Sequence, residues 1–238
     1  MTSAPEMTVE ELTRKIQTIK NLGWVRTARK GPTGVGHTLE ALLGYAENNI
    51  AIPDWGVFEI KATRKSQRNL VTLFSKVPKR VEGIDPRTLV TEHGYWDSKK
   101  GRQSLYCTVS ATETNSLGWR ILIYDQRGRI EFVHNGEIVA YEELASLQDV
   151  LTRKVENLVL VLAERKVDGK IEFFHYNEAY LLARADAGRL LNLLRRGKIV
   201  FDWRMHIKPD GRVRDHGPGY RMFETDIPQL YAHTERLV

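Results

Sequence analysis

Six consecutive apolar residues, Leu158-Val-Leu-Val-Leu-Ala163, constrain the fold more than any other stretch of the chain. A run with no polar position suits a strand covered on both faces. The run Trp55-Gly-Val-Phe-Glu-Ile-Lys-Ala62 alternates instead, so a second strand is predicted with Val57, Glu59 and Lys61 on one face and Phe58 and Ile60 on the other. From Trp119 onward the pattern is antiparallel. Strands over 119–124, 128–134 and 137–141 are joined by Gln126-Arg-Gly128 and by Asn135-Gly136, the latter a strong hairpin dipeptide. Further strands are expected at 70–74, 170–176 and 199–207, with turns at Val167-Asp-Gly169 and Pro209-Asp-Gly211. Thr8-Val-Glu-Glu11 is a capping box that opens a helix burying Leu12, Ile16 and Ile19 and ending at Gly23. A second helix is expected from Thr38 to about Asn48, a third over 142–154 and a fourth over 179–196, while 77–103 reads as polar, basic and loop-rich. These elements describe one α/β domain, or one domain with two lobes around a cleft.

Charge distribution narrows the function. Net charge is +6, but residues 1–30, 61–102 and 195–221 together carry +15, which leaves the remainder at −9. Within that remainder, residues 31–60 hold no Lys or Arg and four carboxylates, Glu40, Glu47, Asp54 and Glu59. An acidic island between basic stretches suits an enzyme that cuts a polyanion, because cations bind phosphate while carboxylates hold a metal ion. No apolar stretch is long enough for a membrane span and the N-terminus lacks a signal-peptide pattern, so a cytoplasmic protein with no membrane partner is expected. The single cysteine, Cys107, excludes an internal disulfide and a cysteine-rich zinc site, and reads as a small core residue. The glycine-rich stretch Lys30-Gly-Pro-Thr-Gly-Val-Gly36 lacks the Gly-Lys-Ser/Thr ending of a nucleotide-binding P-loop.

Phosphodiester hydrolysis calls for a divalent cation that neutralises the phosphate and lowers the pKa of bound water, and for a group that orients that water. Asp54-x4-Glu59-x-Lys61 supplies such a set. Glu59 and Lys61 share a strand face about 6.6 Å apart at the backbone, and Asp54 follows Pro53 just before the strand. Their hard oxygen donors, with the main-chain carbonyl of Ile60 as a further ligand, suit Mg²⁺. Lys61 would position the nucleophilic water or stabilise developing charge. Glu40 lies beside the apolar face of its helix. The bland alternative is a surface ion pair between Glu59 and Lys61, worth roughly 0 to 1 kcal/mol.

Longer motifs then become recognisable. Gly34-Val-Gly-His-Thr-Leu-Glu-Ala-Leu-Leu-Gly44, Glu47-Asn-Asn-Ile50, Asp54, Phe58-Glu-Ile-Lys61, Leu73-Phe-Ser-Lys-Val-Pro78, Phe174-His-Tyr-Asn-Glu-Ala-Tyr180 and Arg214-Asp-His-Gly-Pro-Gly-Tyr-Arg221 occur in that order. The chain resembles the MvaI/BcnI family of type II restriction endonucleases, relatives of the mismatch-repair nickase MutH, from about residue 23 to a last helix ending Thr234-Glu-Arg-Leu-Val238. The resemblance implies a PD-(D/E)XK nuclease core, a mixed β-sheet flanked by helices, in two lobes around a DNA-binding cleft. The catalytic lobe would lie mainly within 1–110 and 155–180, and the recognition lobe mainly within 110–155 and 197–225. It also implies a monomer with one active site that nicks each strand of double-stranded DNA in turn, with Asp54, Glu59, Lys61 and Glu40 as its catalytic residues. A cognate DNA methyltransferase would be a genetic rather than a physical partner.

Base readout calls for Arg on guanine and carboxylates on the cytosine amino group. Asp202 and Arg204 share a strand face by alternation, and by resemblance Asp202, Arg204, Asp215, His216 and Arg221 read G·C pairs. The same resemblance places Ser75 and Lys76 at the DNA. Arg29 and Lys30, ahead of the glycine-rich loop, would grip phosphates or lead that loop into the minor groove. One branch of the family reads its central base pair with histidines; the aligned positions here are Ser75 and Gly219. The expected site is therefore C/G-rich and CCWGG-, CCNGG- or CCSGG-like, with the first two favoured. The alternatives are a MutH-like nicking endonuclease of DNA repair and a non-catalytic DNA-binding module.

Overall fold

The computed structural model describes residues 8–44, 58–65 and 70–238. In chain order the elements are α1 (Val9–Asn21), β1 (Val25–Arg26), α2 (Gly34–Leu43), β2 (Glu59–Arg64), β3 (Leu70–Ser75), β4 (Lys79–Arg80), α3 (Pro86–His93), β5 (Tyr95–Asp97), β6 (Arg102–Val109), β7 (Trp119–Tyr124), β8 (Arg129–His134) and β9 (Glu137–Glu143). They continue with α4 (Leu144–Val150), β10 (Asn157–Asp168), β11 (Ile171–Ala185), α5 (Ala187–Arg195), β12 (Ile199–Ile207), β13 (Val213–Asp215), β14 (Gly219–Phe223) and β15 (Tyr231–Arg236). The fold is mixed α/β, and it divides into two compact units. The first comprises Met1–Asn69, Leu151–Asp186 and Phe223–Val238; the second comprises Leu70–Val150 and Ala187–Met222. Residues 70–110, expected mainly with the catalytic lobe, thus pack with the second unit.

In the first unit β11 and β10 form an antiparallel pair, β2 joins β10 in parallel, and β1 and β15 both pair with β11. The apolar run 158–163 occupies the interior strand β10, as its composition requires. Its Val159, Val161 and Ala163 face α1 and α2, where Leu12, Ile16, Ile19, Val35, Leu39 and Leu43 close the core. Each of the Val, Leu and Ile side chains, removed from water, contributes about 1.5 to 3 kcal/mol. The capping box is present: Thr8 Oγ1 accepts from the Glu11 amide at 3.2 Å, and the Thr8 amide donates to Glu11 Oε2 at 3.1 Å.

The second unit stacks two sheets. One runs β3-β14-β12-β6-β5, with β13 on β12; the other is the meander β4-β9-β8-β7. Phe132 of β8 meets Phe201 and Trp203 of β12 with ring centroids 4.4 and 5.7 Å apart, so the core lies between the sheets. At the Asn135-Gly136 hairpin both residues take positive φ, 50° and 91°, the backbone that matches the strand twist.

Several expectations change. Residues 179–185 continue β11 instead of starting a helix, because they pair with β10 on one side and β15 on the other. Ladders on both edges outweigh the favourable helix propensity of Ala-Tyr-Leu-Leu-Ala-Arg. The helix is confined to α5. The last segment is strand β15, not a helix, for the same reason. Residues 77–103 contain α3, capped by Asp85, whose side chain accepts from the Thr88 amide at 2.7 Å, with Pro86 opening the helix. The helix expected from Thr38 begins at Gly34 and ends at Gly44 in the left-handed region. Cys107 is partly exposed on β6 rather than a core residue, though burial of its thiol pushes its pKa up to about 12.

Candidate active site and nucleic-acid interface

Period-two alternation along β2 separates two chemistries. Phe58, Ile60 and Ala62 belong to or pack on the helix-covered core, which sends Glu59, Lys61 and Thr63 to the opposite sheet face. There Lys61 Nζ donates to Glu59 Oε1 at 2.5 Å. Their side chains are 18% and 21% exposed, so both charges sit largely out of water. Two desolvated charges on an end strand gain little as a mere structural pair.

Asp54 lies outside the described residues. Among the described residues no three His, Cys, Asp or Glu side chains come together as a metal cluster. What the described part of β2 offers a cation is the Glu59 carboxylate and the Ile60 carbonyl, both hard oxygen donors of the kind Mg²⁺ accepts. Glu40 is half-buried on α2, a helix that packs against β2.

The second unit places three of the expected reading residues, Asp202, Arg204 and Arg221, on one sheet face. Along β12 the alternation buries Phe201, Trp203 and Met205 in the core and turns Asp202, Arg204 and His206 the other way. Antiparallel register sets Thr108, Tyr106 and Ser104 of β6 opposite those three. Asp202 accepts from Thr108 Oγ1 at 2.7 Å and from Arg221 Nη1 at 2.5 Å. Arg221 also donates from Nη2 to the Leu70 carbonyl at 2.6 Å. Arg204 is held through Nε by the Gly217 carbonyl at 2.8 Å. Gly219, beside Asp202 in register, leaves room for it: a Cβ there would stand 3.0 Å from Arg204 Nη2 and 3.0 Å from Thr72 Cγ2.

Asp215 and His216 follow on an exposed turn, where Asp215 Oδ1 accepts from the Gly217 amide at 2.7 Å. The His216 ring stacks on His206 at 5.4 Å, and His206 Nδ1 lies 3.0 Å from the Tyr106 hydroxyl. Burial, with Arg214 and Arg102 nearby, holds His216 below the ordinary imidazole pKa. Burial does the same for His206, reinforced by Arg102 and His216 itself. Ser75 is exposed at the end of β3. Lys76 is turned inward, 3.3 Å from Glu142, a carboxylate only 1% exposed whose pKa is raised by burial. Lys30 is exposed in the glycine-rich loop, and the Arg29 carbonyl accepts from Thr27 Oγ1 at 2.6 Å.

Thr108, Tyr106 and His206 are not evident in the sequence as members of this face. His206 follows from carrying the Asp202-x-Arg204 alternation two residues further. Thr108 and Tyr106 depend on pairing between strands about a hundred residues apart, which leaves no local signal.

The first unit's sheet is mixed, and its end strand β2 carries the Glu59-x-Lys61 pair. The family model for the MvaI/BcnI restriction endonuclease family matches residues 13–231, and the chain belongs to that family. No curated protein matches the chain. Among solved structures it is similar to "Restriction endonuclease MvaI-cognate DNA substrate complex", at 28% identity and TM-score 0.86, over 98% of this chain and 100% of that one. It is also similar to "Restriction endonuclease MvaI in the absence of DNA", at 25% identity and TM-score 0.59, over all of both chains.

Proposed function

We propose that the protein hydrolyses phosphodiester bonds of double-stranded DNA at a short pseudo-palindromic C/G-rich site of CCWGG or CCNGG type, as a Mg²⁺-dependent monomer that nicks each strand in turn. The observation that carries this reading is the Glu59–Lys61 pair, two largely desolvated charges on one face of an end strand in a restriction endonuclease family member. The similar MvaI structure solved with its cognate DNA supports duplex DNA as the substrate.

Mg²⁺, when bound, supplies charge neutralisation at the phosphate and a bound water of lowered pKa. Asp54, Glu59 and the Ile60 carbonyl would hold it. Lys61, restrained by Glu59, directs its ammonium at the scissile phosphate and stabilises charge developing there. Glu40, on α2, would add a third carboxylate to the set. Asp202, Arg204, Asp215, His216 and Arg221 read base edges, with Arg204 extending its terminal nitrogens toward guanine while Gly217 holds its Nε. Arg29 and Lys30 contact the backbone, and Ser75 stands at the DNA in place of a reading histidine.

The test is digestion of DNA of known sequence with and without Mg²⁺, followed by sequencing of the ends. Discrete fragments ending at one C/G-rich sequence, preceded by nicked intermediates and abolished by chelation, are expected. Nicks that never mature into double-strand breaks would favour the repair nickase, and site-specific binding without any cleavage would favour a binding module.

A further inference from the structure

The glycine-rich loop is fastened to the sheet by a residue that the catalytic site does not use. Arg64, the last residue of β2, donates from Nε and Nη2 to the two oxygens of Glu172 at 2.7 and 2.9 Å. It also donates from Nη1 to the Pro32 carbonyl at 2.8 Å and from Nη2 to the Gly31 carbonyl at 3.0 Å. Its guanidinium is thereby committed inside the protein, above the Phe174 ring at 5.2 Å. Glu172 is committed as well, since Arg165 Nε reaches its Oε1 at 2.5 Å, and these cations hold its pKa below the usual carboxylate range.

Around this fastening lies a pocket of about 490 Å³ whose charged lining is Lys30, Arg64, Arg165, Lys170 and Glu172. Four cations therefore face one carboxylate that already serves two of them. Lys30 and Lys170 are exposed and form no ion pair with a described residue. A concave surface with such a surplus raises the local concentration of anions. The lining contains no aromatic ring on which a base could stack. Arg64 follows Lys61 by three residues, so its side chain leaves the opposite face of the strand about 10 Å further along. An anion held here is therefore separate from the one Lys61 meets.

We propose that this pocket binds a backbone phosphate of the DNA duplex away from the scissile bond, held by Lys30, Lys170 and the terminal nitrogens of Arg165. The inference rests on the reading of the chain as a duplex-cutting nuclease. Arg64 and Glu172 are positioning residues that hold the loop, and with it Lys30, at the pocket rim. A phosphate clamp of this kind sets register on the duplex and carries no base information.

The experiment uses the full chain with Lys30→Ala and Lys170→Ala combined, two positions whose truncation breaks no ion pair within the described residues. Binding to a duplex containing the cleavage site, and to an altered duplex, is measured in chelator across a range of salt concentrations. Affinity is expected to fall about tenfold on both duplexes alike. The slope of log affinity against log salt should become shallower by about 0.9 for each phosphate that the variant no longer neutralises. The ratio between the two duplexes should stay unchanged. Inorganic phosphate titrated into the wild-type protein separates the two sources of the anion. A site that takes millimolar inorganic phosphate while the double variant keeps the wild-type salt slope on DNA is a free-phosphate site, and that result overturns the proposal. An unchanged slope in a variant of an active enzyme overturns the pocket alone, whereas a wild-type chain that binds no duplex removes the nuclease reading and the pocket with it.

Discussion

The edge of β2 and the polar face of β12 solve opposite problems. On β2 the functional charges are two residues apart in sequence and touch each other, Lys61 to Glu59. On β12 each polar group is held by something distant: Asp202 by Thr108 and Arg221, Arg204 by Gly217, His206 by Tyr106. The difference fits the two tasks proposed for these strands. Bond cleavage needs a few charges at one point, which the period of a single strand supplies. Base readout needs donors and acceptors spread over several base pairs and kept rigid, which only cross-strand partners can arrange.

The sharpest way to break the comparison is Lys61→Ala. If β2 carries the chemistry and β12 the reading, cleavage in Mg²⁺ falls by about a hundred- to a thousandfold, the usual cost of removing one preorganised charge-stabilising group. Binding to the cognate site in chelator stays within about twofold. Single-turnover cleavage and a binding titration on the same duplex measure both. Wild-type cutting by the variant would remove the assigned site.

Arg221 and Arg204 lie on the same sheet face and differ in what they hold. Arg221→Ala leaves Asp202, whose side chain is 9% exposed, with Thr108 alone. A loss of roughly 2 to 4 kcal/mol of folding stability is expected, below the figure for a fully buried pair because Arg221 itself is 27% exposed. Arg204→Ala breaks one bond to a carbonyl and should cost about 1 kcal/mol of stability, while discrimination at one base pair drops by about 1 to 3 kcal/mol. Denaturant unfolding alongside cleavage of singly altered sites separates the two. Equal stability losses would mean that the Asp202–Arg221 pair does not organise this face.

The same contrast explains what can be read from the sequence. The alternation at 55–62, the capping box at Thr8 and the Asn135-Gly136 turn are local, and where they fall on described residues the structure carries them. The strand character of 179–185 is hidden, because it comes from partners at 157–161 and 231–236 rather than from its own residues. α3 is hidden within a longer basic, polar segment, although Asp85-Pro86 is a helix start. Glu59 and Lys61 are legible for the same reason that Thr108 and Tyr106 are not: one pair is set by a two-residue period, the other by a ladder between β6 and β12. The inward turn of Lys76 depends on Glu142, which is buried by its own sheet.

Gly219 offers the finest test. At this position the absent side chain makes room for Arg204, whose Nη2 would stand 3.0 Å from an added Cβ. Gly219→Ala presses on the tip of a flexible side chain and on Thr72 Cγ2, so the fold should lose less than about 1 kcal/mol. Displacing the guanidinium by a few tenths of an ångström should still reduce discrimination at the base pair Arg204 reads by about threefold. A double-mutant cycle isolates the cause, because residues that act through one another are not additive. With Arg204→Ala already present, Gly219→Ala has no guanidinium left to displace and should leave discrimination where it is. The same threefold loss in both backgrounds would show that Gly219 acts on the DNA directly, and that the small residue is not there to seat Arg204.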